Sequence, residues 1–450
     1  MVDSPARADG QRSNIVKVVA ASMAGTTVEW YDFFLYGVAA ALVFPKVFFP
    51  ASDPAVGVLL ALGTYAIGFV ARPVGGLVFG HYGDKIGRKT LLVVSLVMMG
   101  VATFAIGLLP GYTTLGIGAS LLLIVLRLLQ GFALGGEWGG AVLIVSEHGD
   151  PARRGYWASW PQAGVPFGQL LANGLLFLLA AVQDEAAFQA WGWRIPFLLS
   201  AVLVLIGLYV RLSVEESAVF KAAQERAAER AAAGAKEHMP IIEVFRSYPR
   251  EVFTAMGARF AENVSYYIFT IVVTTYATQR LGLSSSFVLG AVLIGAAVHL
   301  VTIPIWGALS DRYGRRPLYL IGAAGVGVWA FVFIALLDTR NFALITLAVV
   351  GGLLFHGAMY GPQAAFLSEL FGTHVRYSGV SIGYQLASVL AGGLAPIIAV
   401  ALYTSFDSGY AVAVYVALSA LLTILAVATY GETRDRDLAE DPALNRAAAR

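Results

Sequence analysis

The 450-residue sequence has no cysteine, so it holds neither disulfides nor thiolate metal sites. Charge is also scarce: Asp, Glu, Lys and Arg make up 13% of the chain, about half of the ~25% usual in soluble domains. Thirty basic and 28 acidic residues leave a net charge of +2. The basic residues are dispersed, which argues against a nucleic-acid surface. There is no His-Glu-x-x-His and no Gly-x-x-x-x-Gly-Lys-Ser/Thr, so zinc-dependent hydrolysis and direct ATP coupling lack their residues. Met1 to Asn14 is polar and has no signal-peptide core. No metal or cofactor is expected.

What fills the chain instead is apolar sequence, 58% of the residues. A membrane-spanning helix takes ~20 apolar residues, and Gly, Pro and charge punctuation divides the chain into twelve such stretches. They lie near 17–45, 55–80, 90–109, 115–147, 156–181 and 195–212, then 250–279, 285–309, 317–337, 341–369, 378–404 and 409–430. The pattern predicts an all-α integral membrane protein with a cytoplasmic N-tail (1–16), a six-helix bundle (17–212), a cytoplasmic linker (213–249), a second six-helix bundle (250–430) and a C-tail (431–450). Within the linker, Lys221 to His238 is rich in Ala, Glu, Arg and Lys and reads as a solvated helix. With both termini cytoplasmic, 23 of the 30 Lys and Arg fall inside and four outside, the bias that orients a plasma-membrane protein. The remaining three, Arg72, Arg127 and Arg259, fall within spans.

The two halves repeat each other. Gly80, Asp84, Gly87, Arg88 and Lys89 recur as Gly307, Asp311, Gly314, Arg315 and Arg316, 227 positions later; Ser146, Glu147 and Arg154 recur as Ser368, Glu369 and Arg376, 222 positions later. Two motifs at nearly constant offset imply duplicated six-helix halves around a site at the bilayer midplane.

Ionisable groups inside spans are costly and therefore informative. Glu29, Asp32 and Tyr36 share one helical face at i, i+3 and i+7. The two carboxylates can carry protons, or can pair with Arg72 or Arg127 to hold helices together. Arg259, Glu262 and Tyr266 repeat that spacing on the seventh span. Here a local pair can be silent, or Arg259 can be released to a substrate carboxylate while Glu262 takes a proton. Arg127 offers either bidentate carboxylate recognition or a gating pair with a first-helix acid. Glu137, among glycines, reads as structural, bonded to a neighbouring backbone. Gln162, Gln169 and Asn173 form one polar stripe and His356, Tyr360 and Gln363 another. Both suit a substrate cavity, and both suit interhelical hydrogen bonding. His299 and His356 read as packing histidines rather than a proton relay.

The loop Gly80-His-Tyr-Gly-Asp84-Lys-Ile-Gly87-Arg88-Lys89 and its copy at Gly307 to Arg316 resemble the cytoplasmic loop signatures of the major facilitator superfamily, as Arg127-Leu-Leu-Gln130-Gly131 resembles its fourth-helix motif. Gly25 to Gly37, with Glu29-Trp30-Tyr31-Asp32, is similar to the first helix of the metabolite:proton symporters. Ala71-Arg72-Pro73, Gly135-Gly136-Glu137-Trp138-Gly139-Gly140 and Trp191-Gly-Trp193-Arg194 fit the same subfamily. Its members include permeases for shikimate, α-ketoglutarate, citrate and proline/betaine, and Arg259-Phe-Ala-Glu262 and Arg376 to Gln385 look closest to the shikimate type. The resemblance, over 17–430, implies a monomeric secondary transporter that couples uptake of a small organic acid or zwitterion to protons. Tyr384 and Gln385 join the implied substrate contacts. Asp84, Arg88, Glu147, Arg154, Asp311, Arg315, Glu369 and Arg376 then form cytoplasmic gates, with Arg72 gating or structural. An efflux antiporter, a membrane-embedded enzyme and a non-transporting sensor are the competing readings. Gly164-Val-Pro166-Phe-Gly168 departs from the Gly-Pro-rich fifth-helix motif of antiporters.

Overall fold

Inside hydrocarbon a backbone must satisfy its own hydrogen bonds, and a helix does so within one segment. The computed structural model describes residues 5–50, 52–86, 88–135, 142–143, 145–146, 150–213, 240–372 and 375–438, and among them it is helical without strands. The first half contains α1 (Pro5–Leu42), α2 (Pro54–Ile86), α3 (Arg88–Leu108), α4 (Ile117–Leu134), α5 (Arg154–Val182) and α6 (Arg194–Ser213). The second contains α7 (Pro249–Tyr267, running on through π-helical turns to Arg280), α8 (Ser285–Tyr313), α9 (Arg315–Asp338) and α10 (Phe342–Leu370). It closes with α11 (Arg376–Ala387, continuing to Ser405) and α12 (Tyr410–Ala428). The linker helix expected over Lys221 to His238 lies outside the described residues, as do Glu137 and Glu147. So do the side chains of Asp84 and Arg88.

Among the described residues, eight helices are long and apolar enough to span a membrane, and α6 with its short preceding helix, bent by 43°, makes a ninth. The other three are the helices that chemistry interrupts or that run short. Glu29 and Asp32 break the apolar run of α1, Arg259 and Glu262 that of α7, and α3 contributes Val93–Leu108. Side chains such as Val101, Leu108 and Leu205 face outward, as a lipid-facing surface requires.

The duplication is visible in the packing. α1 packs on α5, α2 on α4 and α3 on α6; α7 on α11, α8 on α10 and α9 on α12, the same pairs in the same order. Across the halves α5 lies along α8, and α2 along α11. Glycine makes the closest crossings possible: a Cβ at Gly131 of α4 would sit 2.0 Å from the Gly68 carbonyl oxygen of α2. The turn between α8 and α9 is the single residue Gly314, at φ +100°, a conformation that side-chain-bearing residues rarely adopt.

Candidate functional site

Midway along the helices a small cavity is lined by Trp30 of α1, Val165 of α5, Arg259, Glu262, Asn263, Tyr266 and Tyr267 of α7, His356 and Tyr360 of α10, and Tyr384 of α11. Its free volume is about 10 Å³, room for about one water molecule. The halves meet beside it. Toward the C-terminal ends of α1 and α7, Ile271 presses on Gly37, and Phe69 of α2 packs on Gly392 and Gly393 of α11.

Arg259 and Glu262 form the polar wall. The i, i+3 spacing brings Arg259 Nη1 to 2.7 Å from Glu262 Oε2, and Arg259 also donates to Gln363 Oε1 at 2.8 Å, Ser388 Oγ at 3.2 Å and Asn263 Oδ1 at 3.3 Å. Its guanidinium lies 3.5 Å from the Tyr384 ring centroid. Glu262 accepts from Gln363 Nε2 at 3.2 Å and faces His356 Nε2 at 3.2 Å. Gln363 also donates to Tyr319 OH at 2.8 Å, and Gln169 accepts from Tyr266 OH at 3.0 Å. A buried ion pair needs just such a shell of further hydrogen bonds to offset its desolvation.

The first half is arranged differently. Asp32 is buried, and among the described residues neither carboxylate oxygen has a hydrogen-bond partner; its polar neighbours are Arg127 and Thr103, whose hydroxyl donates to the Met99 carbonyl at 3.0 Å. No ion pair within 4 Å joins Asp32 to Arg127 or Arg72 among the described residues, so the helix-holding salt bridge considered for Asp32 is not formed here. Arg127 donates to Gln130 Oε1 at 3.1 Å and lies 4.2 Å over the Tyr36 ring. Gly68 makes its room, since a Cβ there would be 2.6 Å from Arg127 Nε. Arg72 rests on Phe69 and Phe33, 4.3 and 4.6 Å from their centroids.

Several expected substrate contacts are therefore not on the cavity wall. The aromatic cluster of Phe33, Tyr65, Phe69 and Tyr267 packs beside Arg127, and neither Arg127 nor Tyr36 lines the cavity. Tyr36 instead donates to Thr64 Oγ1 at 2.7 Å. Gln162, Gln169 and Asn173 are fully buried off the lining, Gln363 stands behind the ion pair, and Gln385 donates to the Gly135 carbonyl at 3.1 Å. Trp30, Asn263 and Tyr267 line the cavity although sequence spacing does not single them out; Trp30 lies between the two first-helix acids, a signal available in the sequence. The two histidines read as packing residues are also hydrogen-bonded: His356 Nδ1 lies 3.0 Å from His299 Nε2, which joins both rings to Glu262.

At the end of the bundle where α8 turns into α9, the described members of the expected gating set come together. Asp311 of α8 accepts the backbone N–H groups of Gly155 and Tyr156 at 2.7 and 2.8 Å, so a carboxylate of the second half caps the positive end of α5 in the first. Arg315 pairs with Asp311 at 2.7 Å and Glu369 at 3.2 Å, and Arg154 with Glu369 at 3.0 Å. Arg376 donates to the carbonyls of Ser368, Phe371 and Leu438. The C-tail contributes as well, which composition did not signal: Thr433 donates to Glu369 Oε2 at 2.6 Å, and Glu432 accepts from the backbone N–H groups of Arg315 and Arg316. Removing the cap should loosen the contact between α5 and α8. Asp311→Ala is expected to raise the thiol-labelling rate of a single Ser159→Cys, buried where α5 meets α8, about tenfold, the value of ~1.4 kcal/mol. An unchanged rate would show that Asp311 does not hold α5 against α8.

Gly379-Val-Ser-Ile-Gly383 spells the letters of a hydrolase nucleophile elbow, but it runs inside α11 and lacks the strand-to-helix turn that exposes such a serine. Two six-helix halves enclosing a charged, aromatic cavity, with a cluster of ion pairs at one end, have the architecture of a major facilitator transporter. The chain belongs to the sugar (and other) transporter family, whose model matches residues 17–444. It is 42% identical over 428 residues to the inner membrane metabolite transport protein YhjE of Escherichia coli K12, covering 94% of this chain and 95% of that protein. It is 40% identical over 406 residues to the shikimate transporter of the same organism (90% and 92% covered) and 35% over 427 to its proline/betaine transporter (94% and 84%). The proton:xylose symporter XylE, bound to 6-bromo-6-deoxy-D-glucose, superposes with a TM-score of 0.74 at 19% identity, over 96% of this chain and 99% of that one. It shares the fold.

Proposed function

We propose that the protein is a proton-coupled symporter, working as a monomer in the plasma membrane with both termini cytoplasmic, that imports a small organic acid or zwitterion by alternating access. The observation that carries this reading is the Arg259–Glu262 pair on the wall of an aromatic cavity. A planar guanidinium fits a carboxylate bidentately, and Trp30, Tyr266, Tyr267, Tyr360 and Tyr384 offer faces to a compact ring or a methylated ammonium. The named substrates of the shikimate and proline/betaine relatives each carry one carboxylate, which supports the same class.

Asp32 supplies the coupling in the first half. Ionised, a carboxylate at this depth without a hydrogen bond costs several kcal/mol. A proton removes that cost, and so would closer approach to Arg127, so proton occupancy and the relative position of α1 and α4 are linked. The closed cavity must open to admit substrate, and the Asp311 and Glu369 clusters hold the cytoplasmic face shut while the outer face opens. The test is transport by purified protein in liposomes under an inward proton gradient, with shikimate, α-ketoglutarate, citrate, proline and glycine betaine offered in turn. At least one should accumulate above equilibrium; equilibration of all five with and without the gradient would overturn the reading.

A further inference from the structure

The described network leaves a ring nitrogen of one histidine unused. His299, on α8, is fully buried, and its Nδ1 has no hydrogen-bond partner among the described residues. The tautomers of the two histidines follow from their partners. Glu262, paired with Arg259, accepts, so His356 Nε2 carries the hydrogen of their 3.2 Å contact. A neutral His356 then presents a lone pair at Nδ1, and His299 Nε2 must donate across the 3.0 Å contact. His299 Nδ1 is left as a bare lone pair at the end of a continuous chain.

The geometry points to a proton relay, His299 to His356 to Glu262, that releases Arg259 for the substrate carboxylate. A proton taken up at His299 Nδ1 sends the Nε2 proton of His299 to His356 Nδ1, and the Nε2 proton of His356 to Glu262 Oε1. One proton has entered; both rings are neutral again with inverted tautomers, and the same two contacts now run in the opposite direction, with Glu262 donating. The carboxyl is neutral, so Arg259 has lost its counter-ion and keeps only the neutral oxygens of Gln363, Asn263 and Ser388. A substrate carboxylate restores the pair. Protonation and substrate binding thus favour each other, which is the linkage a symporter requires. The groups around the relay are Arg259, Glu262 and Tyr266 from α7, Tyr319 from α9 through Gln363, Tyr360 beside His356 on α10, Tyr384 from α11 and the neutral Gln169 from α5.

This inference rests on the symport reading and assigns its second proton-accepting group. His299→Gln keeps an N–H for His356 Nδ1 but removes the ring that takes up the proton. In proteoliposomes that variant should lose gradient-driven accumulation at least tenfold relative to wild type, with substrate counterflow still measurable. Accumulation equal to wild type would overturn the relay and leave symport standing; a wild type that itself never accumulates substrate would overturn symport and the relay with it. Histidine ¹⁵N spectra of the protein with His81, His148, His238 and His374 replaced give a readout that does not depend on the variant's folding. Both remaining rings should carry Nε2–H at alkaline pH and convert to Nδ1–H on acidification. A fixed tautomer across that change would overturn the relay.

Discussion

Asp32→Asn is expected to abolish accumulation driven by a pH gradient while substrate exchange stays measurable. The residue is buried on α1, neither carboxylate oxygen is hydrogen-bonded among the described residues, and the guanidinium of Arg127 is a charged neighbour. Asn has the shape of the protonated acid and no proton to give up. A carrier fixed in that form can cycle with substrate bound in both directions, which is all that exchange needs, but cannot reset by releasing a proton. A gradient of one pH unit is worth ~1.4 kcal/mol, or about tenfold accumulation for one proton per substrate. The expected ratio falls from about ten to about one. Measuring radiolabelled uptake with and without the gradient decides it: a ratio still near ten in Asp32→Asn would remove this carboxylate from the coupling.

Arg259→Lys should weaken binding of a monocarboxylate substrate by about 1–3 kcal/mol, the range for a lost hydrogen bond to a charged group. Lysine keeps the charge, and with it the pairing to Glu262, but loses the planar fork and the stacking on Tyr384, 3.5 Å away. The same change at Arg127 should affect substrate affinity less, because that side chain is stacked on Tyr36 away from the cavity wall. Equilibrium binding of both variants separates the two roles. Wild-type affinity in Arg259→Lys, or an equal loss in both, would contradict the placement of the carboxylate site.

The two arginines also show where sequence stops being informative. Spacing along one helix is local, so the i, i+3 pair of Arg259 and Glu262 and the shared face of Glu29, Asp32 and Tyr36 are legible in the order of residues alone. So are the twelve apolar spans and the repeat, since composition and an offset of 227 residues depend on no contact. Which side of a helix meets the cavity is another matter. Arg127 turns away from it because Gly68 opens a slot on α2 for its guanidinium, a fit between two helices about sixty residues apart. His299 and His356 lie on α8 and α10, 57 positions apart, and become a pair only when those helices pack. The C-tail is the extreme case: Thr433 sits in a charged, polar stretch that reads as solvated, and it is fully buried because Glu369 offers it an acceptor.

In the proposed cycle protons and a carboxylate-bearing metabolite move together through the cavity walled by Arg259 and Glu262. Simultaneous recording of internal pH and labelled-substrate entry in proteoliposomes, with no gradient imposed at the start, decides whether they do. Adding an accepted substrate outside should acidify the lumen in step with substrate entry, and Asp32→Asn should abolish the acidification. Substrate entry that leaves the internal pH unchanged, or that makes it more alkaline, would contradict symport.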